Sequence, residues 1–262
     1  MYAGLPPINI AHVFIESGQS NCQGRGARVD APSGSDPGPI AGVKTWRRNQ
    51  TGTMYSGTGA WYDLDYEYNQ YETRDEFGSV LQFGLDVSDR LYNAVNSIYI
   101  IKADGNGKPI AGWLSGGNEN VAMYDGHLTP ALADLEANPS VDVVKIHGFF
   151  FDQGEGDSSS SVLANAYQAD LETVITDIRA ATHASLPIIL RRMHTDTPYT
   201  YGNTVRAAQQ AVADAGTGIH LINGPYTYMD AQVHIDGDSQ NTVGSERDNI
   251  LKAVTTGYVY SG

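Results

Sequence analysis

A chain of 262 residues with 41% apolar side chains is long enough to bury one sizeable core, and no low-complexity segment divides it. Its 30 acidic residues outnumber the 16 basic ones, and a net charge of −14 repels the phosphate backbone of nucleic acids. A single cysteine excludes an intrachain disulfide, and the chain lacks the run of about 18 apolar residues that a membrane-spanning helix needs. We therefore expect one domain over residues 1–262 that binds no nucleic acid and does not insert into membranes.

The first predicted element is a buried strand at residues 8–15, an apolar and β-branched run that ends in a turn at 16–18. Residues 24–73 are rich in Gly, Pro, Ser and Asp and show no sustained helical period, which predicts a long loop insertion. A loop of that length inside a compact domain is usually functional. An amphipathic helix over 75–95 and an apolar strand over 97–101 follow.

The alternation of helix and strand continues to residue 222. Helices are predicted at about 124–137, 161–182 and 203–214, and strands at 141–151, 187–193 and 218–222. Five strands that alternate with helices predict an α/β fold with a mostly parallel five-stranded sheet covered on both faces. In such sheets the active site gathers at the carboxyl ends of the strands.

Three polar clusters follow predicted strands, at the edge where such a site is expected. They are residues 18–21 (Gly-Gln-Ser-Asn), 152–157 (Asp-Gln-Gly-Glu-Gly-Asp) and 233–236 (Val-His-Ile-Asp). A serine, a histidine and carboxylates at adjacent strand ends are the parts of nucleophilic acyl transfer, in which the histidine removes the hydroxyl proton and an acid orients the histidine. Gln153 adds an amide donor for the developing oxyanion. Each cluster alone is also ordinary turn chemistry, so the prediction depends on all three together.

Taken together, these motifs resemble the SGNH hydrolase superfamily, and within it the sialate O-acetylesterase-like group that includes carbohydrate esterase family 6. The resemblance runs from residue 8 to about residue 244, through the motifs at 18–21, 102–113 (KADGNGKPIAGW), 153–157 and 233–234. It implies a three-layer α/β/α sandwich of the SGNH, flavodoxin-like type. It also implies a serine esterase that needs neither a metal nor an organic cofactor.

The resemblance assigns the reacting groups. It implies that Ser20 is the nucleophile and His234 the general base. The oxyanion hole would consist of the backbone N–H of Ser20, the backbone N–H of Gly107 and the side chain of Gln153. Relatives usually carry Gly-Gly-Thr where this chain has Asn-Gly-Lys, so the N–H of Gly105 is the alternative to that of Gly107.

The acid of the triad has three candidates. The superfamily normally places it three residues before the histidine, where this chain has Ala231, and Asp230 stands one residue too early. Some carbohydrate esterases use the glutamate of the Gln-Gly-Glu motif instead, which is Glu155 here. We therefore predict that Glu155 orients His234, with Asp230 second and Asp236 third. The alternative for Glu155 is a structural carboxylate that accepts backbone N–H groups.

The predicted loop supplies candidates for substrate binding. Trp46 and Trp61 have flat aromatic faces that suit sugar rings, and Arg47 suits a carboxylate-bearing sugar. Packing of the loop is an equally good explanation for the aromatic residues. Asn21, next to the predicted nucleophile, is grouped with the substrate-binding residues and is expected to brace the turn.

The other histidines do not predict a metal site. His12 and His147 lie inside apolar strands, where a hydrogen-bonded core histidine is the commoner explanation. His127 and His183 are expected on helix surfaces. No pair of histidines has a spacing that supports zinc.

The predicted function is the removal of O-acetyl groups from a carbohydrate, such as acetyl xylan, pectin or a sialic acid, through an acetyl-enzyme intermediate. The alternatives are an SGNH esterase that acts on a lipid or other acyl ester, and a non-catalytic glycan-binding domain, for example of a phage tail. Charged residues make up only 18% of the chain, and it holds 29 Gly and 16 Tyr. That composition favours an extracellular, cell-surface or virion-associated protein.

Overall fold

The computed structural model describes residues 7–32, 39–51, 54–65, 76–194, 198–224, 226–230 and 233–254. At residues 28, 48–51, 54–58 and 230 it describes the backbone alone. Among the described residues, no helix is long and apolar enough to cross a membrane.

Most of the described strands belong to one sheet. In chain order the strands are β1 (Ile10–Gly18), β2 (Gly26–Ala27), β3 (Val43–Thr51), β4 (Met54–Asp63), β5 (Glu76–Phe77), β6 (Asn96–Asp104), β7 (Val143–Asp152), β8 (Ile188–Arg191), β9 (Ile219–Ile222), β10 (Tyr228–Asp230) and β11 (His234–Ile235). The main sheet has seven strands in the order β4-β3-β6-β1-β7-β8-β9, and only the edge strand β4 runs antiparallel to its neighbour. Two short antiparallel pairs, β2 with β5 and β10 with β11, lie outside it.

Helices cover both faces of the main sheet. In chain order the described α-helices are α1 (Ser20–Gln23), α2 (Val80–Leu91), α3 (Asn118–Val121), α4 (Thr129–Ala137), α5 (Ser161–Ala181), α6 (Gly202–Ala215) and α7 (Gly237–Val254), and a π-helical segment, Ala122–Leu128, leads into α4. One hydrophobic core lies between the sheet and α4, α5 and α6, and a second lies between the opposite face and α2 and α7. Successive residues of β1 alternate between them, with Val13 and Ile15 in the first core and Phe14 in the second.

The prediction of a mostly parallel α/β sheet is confirmed, but the number of strands is wrong. Strands β1, β6, β7, β8 and β9 are the five predicted ones, and the hairpin β3–β4 adds two more within residues 24–73. The prediction of one long loop there is therefore also wrong. The hairpin was missed because polar residues such as Lys44, Thr45 and Arg47 interrupt its apolar ones, so it lacks the apolar run by which the five predicted strands are recognised.

Candidate active site

The turn between β1 and α1 places a serine at the carboxyl edge of the sheet. Gly18, the last residue of β1, has a φ of 150°, and a Cβ there would lie 2.1 Å from the carbonyl oxygen of Asp152. Glycine therefore allows the ends of β1 and β7 to approach this closely. The chain then enters α1 at Ser20, which is 7% exposed. The first N–H groups of a helix have no acceptor within the helix, so the N–H of Ser20 is suited to bind an anion.

The structure brings the predicted nucleophile and the predicted base together. The Oγ atom of Ser20 lies 2.9 Å from Nε2 of His234, although the two residues are 214 positions apart in the chain. That distance is a hydrogen bond of the kind through which an imidazole removes a hydroxyl proton.

Asn21 connects the turn after β1 to the segment that carries the histidine. Its Oδ1 accepts the N–H of Ile235, and its Nδ2 donates to the carbonyl of Val233 and to Oε1 of Glu155, each at 3.0 Å. The side chain is fully buried. The predicted contact between Asn21 and substrate is therefore wrong for this structure, because the amide is covered and its hydrogens and oxygen already have partners.

The first-ranked acid, Glu155, does not reach the histidine. Its Oε1 accepts from Asn21 and Arg191, and its Oε2 has no hydrogen-bond partner within the described part of the chain. The prediction that Glu155 orients His234 directly is therefore wrong for this structure, since Arg191 and Asn21 hold the carboxylate away from the imidazole.

The two other candidate acids differ in position. Asp236 caps α7, because its carboxylate accepts the N–H of Ser239 at 2.9 Å and the hydroxyl of Thr227. These hydrogen bonds lower the pKa of Asp236 even though partial burial raises it. Asp230 lies opposite His234 in the register of β10 and β11, and its side chain is outside the described structure. Its role stays a prediction.

A buried ion network stands behind Glu155. Arg191, at the end of β8, binds Asp152 and Glu155 at once, and the side chains of Arg191 and Asp152 are 1% and 0% exposed. Burial raises the pKa of Asp152 to about 6, although the charge of Arg191 acts to lower it. The network joins the ends of β7 and β8 to Asn21, and so to the turn that carries Ser20.

The structure narrows the choice of oxyanion donors. The N–H of Gly105 donates to the carbonyl of Gly18 at 2.8 Å, which removes it as a donor to substrate. Gly107 sits in the exposed turn that follows, with a φ of 67°. It remains the predicted backbone donor beside Ser20.

Gln153 is fully buried, and its amide already has partners. The Nε2 atom donates to Oδ2 of Asp157 at 2.6 Å and to the carbonyl of Lys108 at 3.2 Å. Burial raises the pKa of Asp157 to about 6, against the lowering effect of the hydrogen bonds from Gln153 and from the N–H of Ile110. To act as an oxyanion donor, Gln153 would have to release one of these acceptors, and that role stays a prediction.

Gln19 is a site residue that the sequence motifs did not assign. Its Oε1 accepts the N–H of Gly154 at 2.9 Å and that of Gly156 at 3.2 Å. The first motif is thereby fixed to the third. The only hint of this role in the sequence was the place of Gln19 in the Gly-Gln-Ser-Asn segment. Its partners could not be predicted, because they lie 135 and 137 residues away.

The residues predicted to bind sugar rings form part of the first core. Trp46 is 4% exposed and packs edge-on against Trp61, which packs against Tyr99. The prediction that Trp46 contacts substrate is therefore wrong, and packing of the hairpin onto the sheet explains its position. Trp61 is partly buried. Burial raises the pKa of Asp104, at the carboxyl end of β6, and the charge of Arg47 acts to lower that pKa. For these two residues substrate binding stays a prediction.

The other histidines are mostly structural. Nδ1 of His12 lies 2.8 Å from Nε2 of His147 in the interior, which confirms the prediction of hydrogen-bonded core histidines. His127 is 1% exposed and hydrogen-bonds the carbonyl of Ala122, so the prediction that it lies on the surface is wrong. Within the described residues no group of three or more His, Cys, Asp or Glu side chains could hold a metal ion.

Comparisons with known proteins identify the family. The fold and the Ser20–His234 pair are those expected of an α/β serine hydrolase. A family model described as "Carbohydrate esterase, sialic acid-specific acetylesterase" matches residues 10–250. The chain belongs to this family of carbohydrate acetylesterases, which confirms the resemblance drawn from the motifs. No curated protein matches the sequence.

Solved structures show the same fold at low sequence identity. A protein from Arabidopsis thaliana is similar with a TM-score of 0.72 and 18% identity over 94% of this chain and 99% of its own. The carbohydrate acetylesterase XAC1771 from Xanthomonas citri is similar with a TM-score of 0.64 and 16% identity over 94% of this chain and 56% of its own. NanS also has a TM-score of 0.64, with 12% identity over 95% of this chain and 99% of its own.

Proposed function

We propose that the protein removes O-acetyl groups from a carbohydrate by a two-step serine mechanism. In the first step Ser20 Oγ attacks the acetyl carbonyl carbon while Nε2 of His234 takes the hydroxyl proton. The tetrahedral intermediate then collapses, the bond from the acetyl carbon to the sugar oxygen breaks, and His234 returns the proton to that oxygen. The products of this step are the free sugar hydroxyl and an acetyl ester on Ser20.

The second step restores the serine. Water attacks the acetyl carbon, His234 takes a proton from the water, and the bond to Ser20 Oγ breaks as His234 returns that proton to it. Acetic acid leaves the site and loses its proton to water, which gives acetate. The N–H groups of Ser20 and Gly107 are proposed to bind the negative charge that develops on the carbonyl oxygen in both steps.

We assign the orientation of His234 to Asp230. The support is the register of the β10–β11 pair, in which Asp230 lies opposite His234, together with the engagement of Glu155 elsewhere. Residues that face each other in an antiparallel pair are close neighbours.

The single observation that carries the proposed function is the 2.9 Å contact between Ser20 Oγ and His234 Nε2. The test is the release of 4-nitrophenol from 4-nitrophenyl acetate, followed by the release of acetate from acetylated xylan, pectin and sialic acids. Ser20→Ala is expected to lower kcat by at least about 10⁴-fold with unchanged thermal unfolding, because the nucleophile is lost. Turnover that survives this substitution would contradict the role of Ser20. The absence of turnover on every acetyl ester would contradict the proposal as a whole and favour a glycan-binding domain.

An acidic sugar is the favoured substrate class, because two arginines lie beyond the carboxyl end of β8, at the edge of the sheet that also carries Ser20. Arg192 follows β8 and donates to Asn223 at 3.1 Å, while its Nε is buried with no partner in the described part of the protein. Arg206, on α6, donates to the carbonyl of Met193. Burial, together with the charge of Arg192, lowers the pKa of Arg206. Neither guanidinium pairs with a carboxylate among the described residues, although acidic residues outnumber basic ones in the chain.

This preference is tested by comparing acidic with neutral substrates. Arg206→Gln and Arg192→Gln are expected to lower kcat/KM about tenfold on O-acetylated sialic acid, and less than threefold on acetyl xylan, because one charge-assisted contact is lost. Arg179→Gln is the control, since Arg179 binds the carbonyls of Leu186 and Thr217 near the other end of β8 and β9. Equal losses on both substrates would contradict a role for the two arginines in recognition of charge.

A further inference from the structure

We infer that Asn21 is a positioning residue that holds His234 against Ser20, and that Glu155 contributes to the reaction by fixing Asn21. The inference rests on the proposed function and adds residues that act on the base without touching substrate. Asn21 follows the nucleophile directly in the chain, and its two backbone partners, Val233 and Ile235, are the residues on either side of His234. One side chain therefore fixes the segment of the base at two points, beside the nucleophile.

The segment that carries His234 needs such a support. Strand β11 has two residues, pairs with the three-residue strand β10, and does not belong to the main sheet. Strand β1, which sets the position of Ser20, pairs with β6 and β7 along its whole length. The nucleophile is thus fixed by the sheet, whereas the base is fixed by a two-stranded ribbon and by Asn21. An error of about 1 Å in the position of a reacting group costs on the order of 100-fold in rate.

Glu155 determines which way round the amide of Asn21 lies. A carboxylate only accepts hydrogen bonds, so the atom of Asn21 that faces Oε1 of Glu155 must be the nitrogen. With the nitrogen on that side, Oδ1 faces the N–H of Ile235 and Nδ2 also reaches the carbonyl of Val233. A reversed amide would place an oxygen against both the carboxylate and the Val233 carbonyl, and would lose the bond from Ile235.

The ion network keeps Glu155 in place. Arg191 is fully buried between Glu155 and Asp152, so rotation of Glu155 away from Asn21 would separate buried opposite charges. Asp152 is the last residue in this series of contacts, and it lies at the end of β7, directly beside Gly18. The path of contacts therefore begins and ends at the turn of the nucleophile, which makes the distance between Ser20 and His234 dependent on Asn21, Glu155 and Arg191 together.

The experiment compares kcat and KM on an acetyl ester for Asn21→Ala, Glu155→Ala, Glu155→Gln and the double alanine variant. We expect Asn21→Ala to lower kcat about 100-fold with KM within about twofold, because ground-state binding is unaffected. Glu155→Ala should lower kcat by at least about tenfold. Glu155→Gln should stay within about fivefold of wild type, since the glutamine oxygen still accepts from Asn21. The double variant should match Asn21→Ala, because both residues act through the same contact.

The controls separate the possible failures. Asn96→Ala removes another buried amide, at the amino end of β6, where Asn96 lies 3.2 Å from Nε2 of His12, and it should leave kcat unchanged. If Asn21→Ala does not fold, Asn21→Asp keeps the shape but loses the donor, and the same loss of kcat is expected. Glu155→Gln as inactive as Glu155→Ala, or a double variant whose loss is the product of the single losses, would overturn the inference. Activity that persists in Ser20→Ala would instead contradict the proposed function itself.

Discussion

Strands β1 and β7 carry buried polar groups at both ends, and the two groups differ in charge. At the amino end, His12 of β1 and His147 of β7 form a stacked, hydrogen-bonded pair, and His12 also bonds Asn96. Burial lowers the pKa of His147 to about 3 and also lowers the pKa of His12, so the histidine pair is neutral near pH 7. At the carboxyl end, Asp152 and Arg191 form a buried ion pair that continues to Glu155.

The comparison shows what a buried ion network contributes that a neutral pair does not. Removing an ion from water costs several kcal/mol, and a buried ion pair is often no more stabilising than apolar residues of the same size. A neutral histidine pair has no such cost, so it suits the end of the sheet where only packing is required. The charged network lies where the orientation of the Asn21 amide beside Ser20 matters, and the Glu155 carboxylate, which only accepts hydrogen bonds, favours the same orientation as the Val233 carbonyl and the Ile235 N–H.

The largest effect on stability is expected from breaking the charged end. Arg191→Met leaves Asp152 and Glu155 buried without a cation, which should lower the free energy of unfolding by about 3–5 kcal/mol. Denaturant unfolding measures this, with Lys44→Met as the control, because Lys44 and Asp63 form an exposed pair expected to contribute less than about 1 kcal/mol. A loss below 1 kcal/mol for Arg191→Met would show that the charged group at the carboxyl end contributes no more to stability than an exposed ion pair.

The neutral end should appear in the pH dependence of stability. The folded protein holds His147 with a pKa of about 3, below the ordinary 6.5, so the unfolded chain binds the proton more tightly. The contribution of His147 to the free energy of unfolding is therefore fully present above about pH 6.5, and it is lost as the pH falls towards 3. Asp152 and Asp157, whose pKa values are raised to about 6, act in the opposite direction between about pH 4 and 6, because there the folded state binds the proton more tightly.

A variant isolates the histidine from these carboxyl groups. The wild type should lose more free energy of unfolding than His147→Gln when the pH falls from 7 to 4, and the difference between the two losses should be about 3 kcal/mol. The measurement is urea unfolding at a series of pH values for both proteins. Parallel curves for the two proteins would show that the pair at the amino end is not the acid-sensitive element.

The smallest effect is expected at Asp236, which lies near the charged end but outside its network. Asp236→Ala removes the cap of α7 and should lower the free energy of unfolding by about 1 kcal/mol, with kcat within about threefold of wild type. Urea unfolding and steady-state kinetics on one acetyl ester measure the two quantities. A fall in kcat of more than 100-fold at unchanged stability would restore Asp236 as the acid of the triad.

Five strands of the main sheet were predictable because each contains a mainly apolar run. Helix α7 was not predicted, although it spans Gly237–Val254 and packs on the second core. The reason is that it buries polar side chains, among them Gln240, Arg247 and Asp248, and so lacks an apolar stripe. Their partners, such as Glu16 for Arg247, lie on distant segments that no local pattern reveals.

The location of the site was predictable, because it depends on where the strands end. The rule that parallel strands gather chemistry at their carboxyl edge pointed to the polar clusters at residues 18–21, 152–157 and 233–236, and the family resemblance assigned Ser20 and His234 within them. The contacts of Gln19, Asn21 and Glu155 do not follow from it, because each spans more than 130 residues. Motif position ranked Glu155 as the acid, whereas the choice depends on how Arg191 competes for the carboxylate, which only the packed structure shows.

The long chain separation between Ser20 and His234 has a consequence for synthesis. During translation the residues of β1, β6 and β7 are made well before residues 233–235, so on the proposed mechanism the serine is made long before its base. The nascent chain is then unable to react with esters it meets, because an unassisted serine hydroxyl is a poor nucleophile. On the proposed mechanism, activity arises only once residues 233–235 dock beside Ser20, so the onset of chemistry waits for this segment to fold.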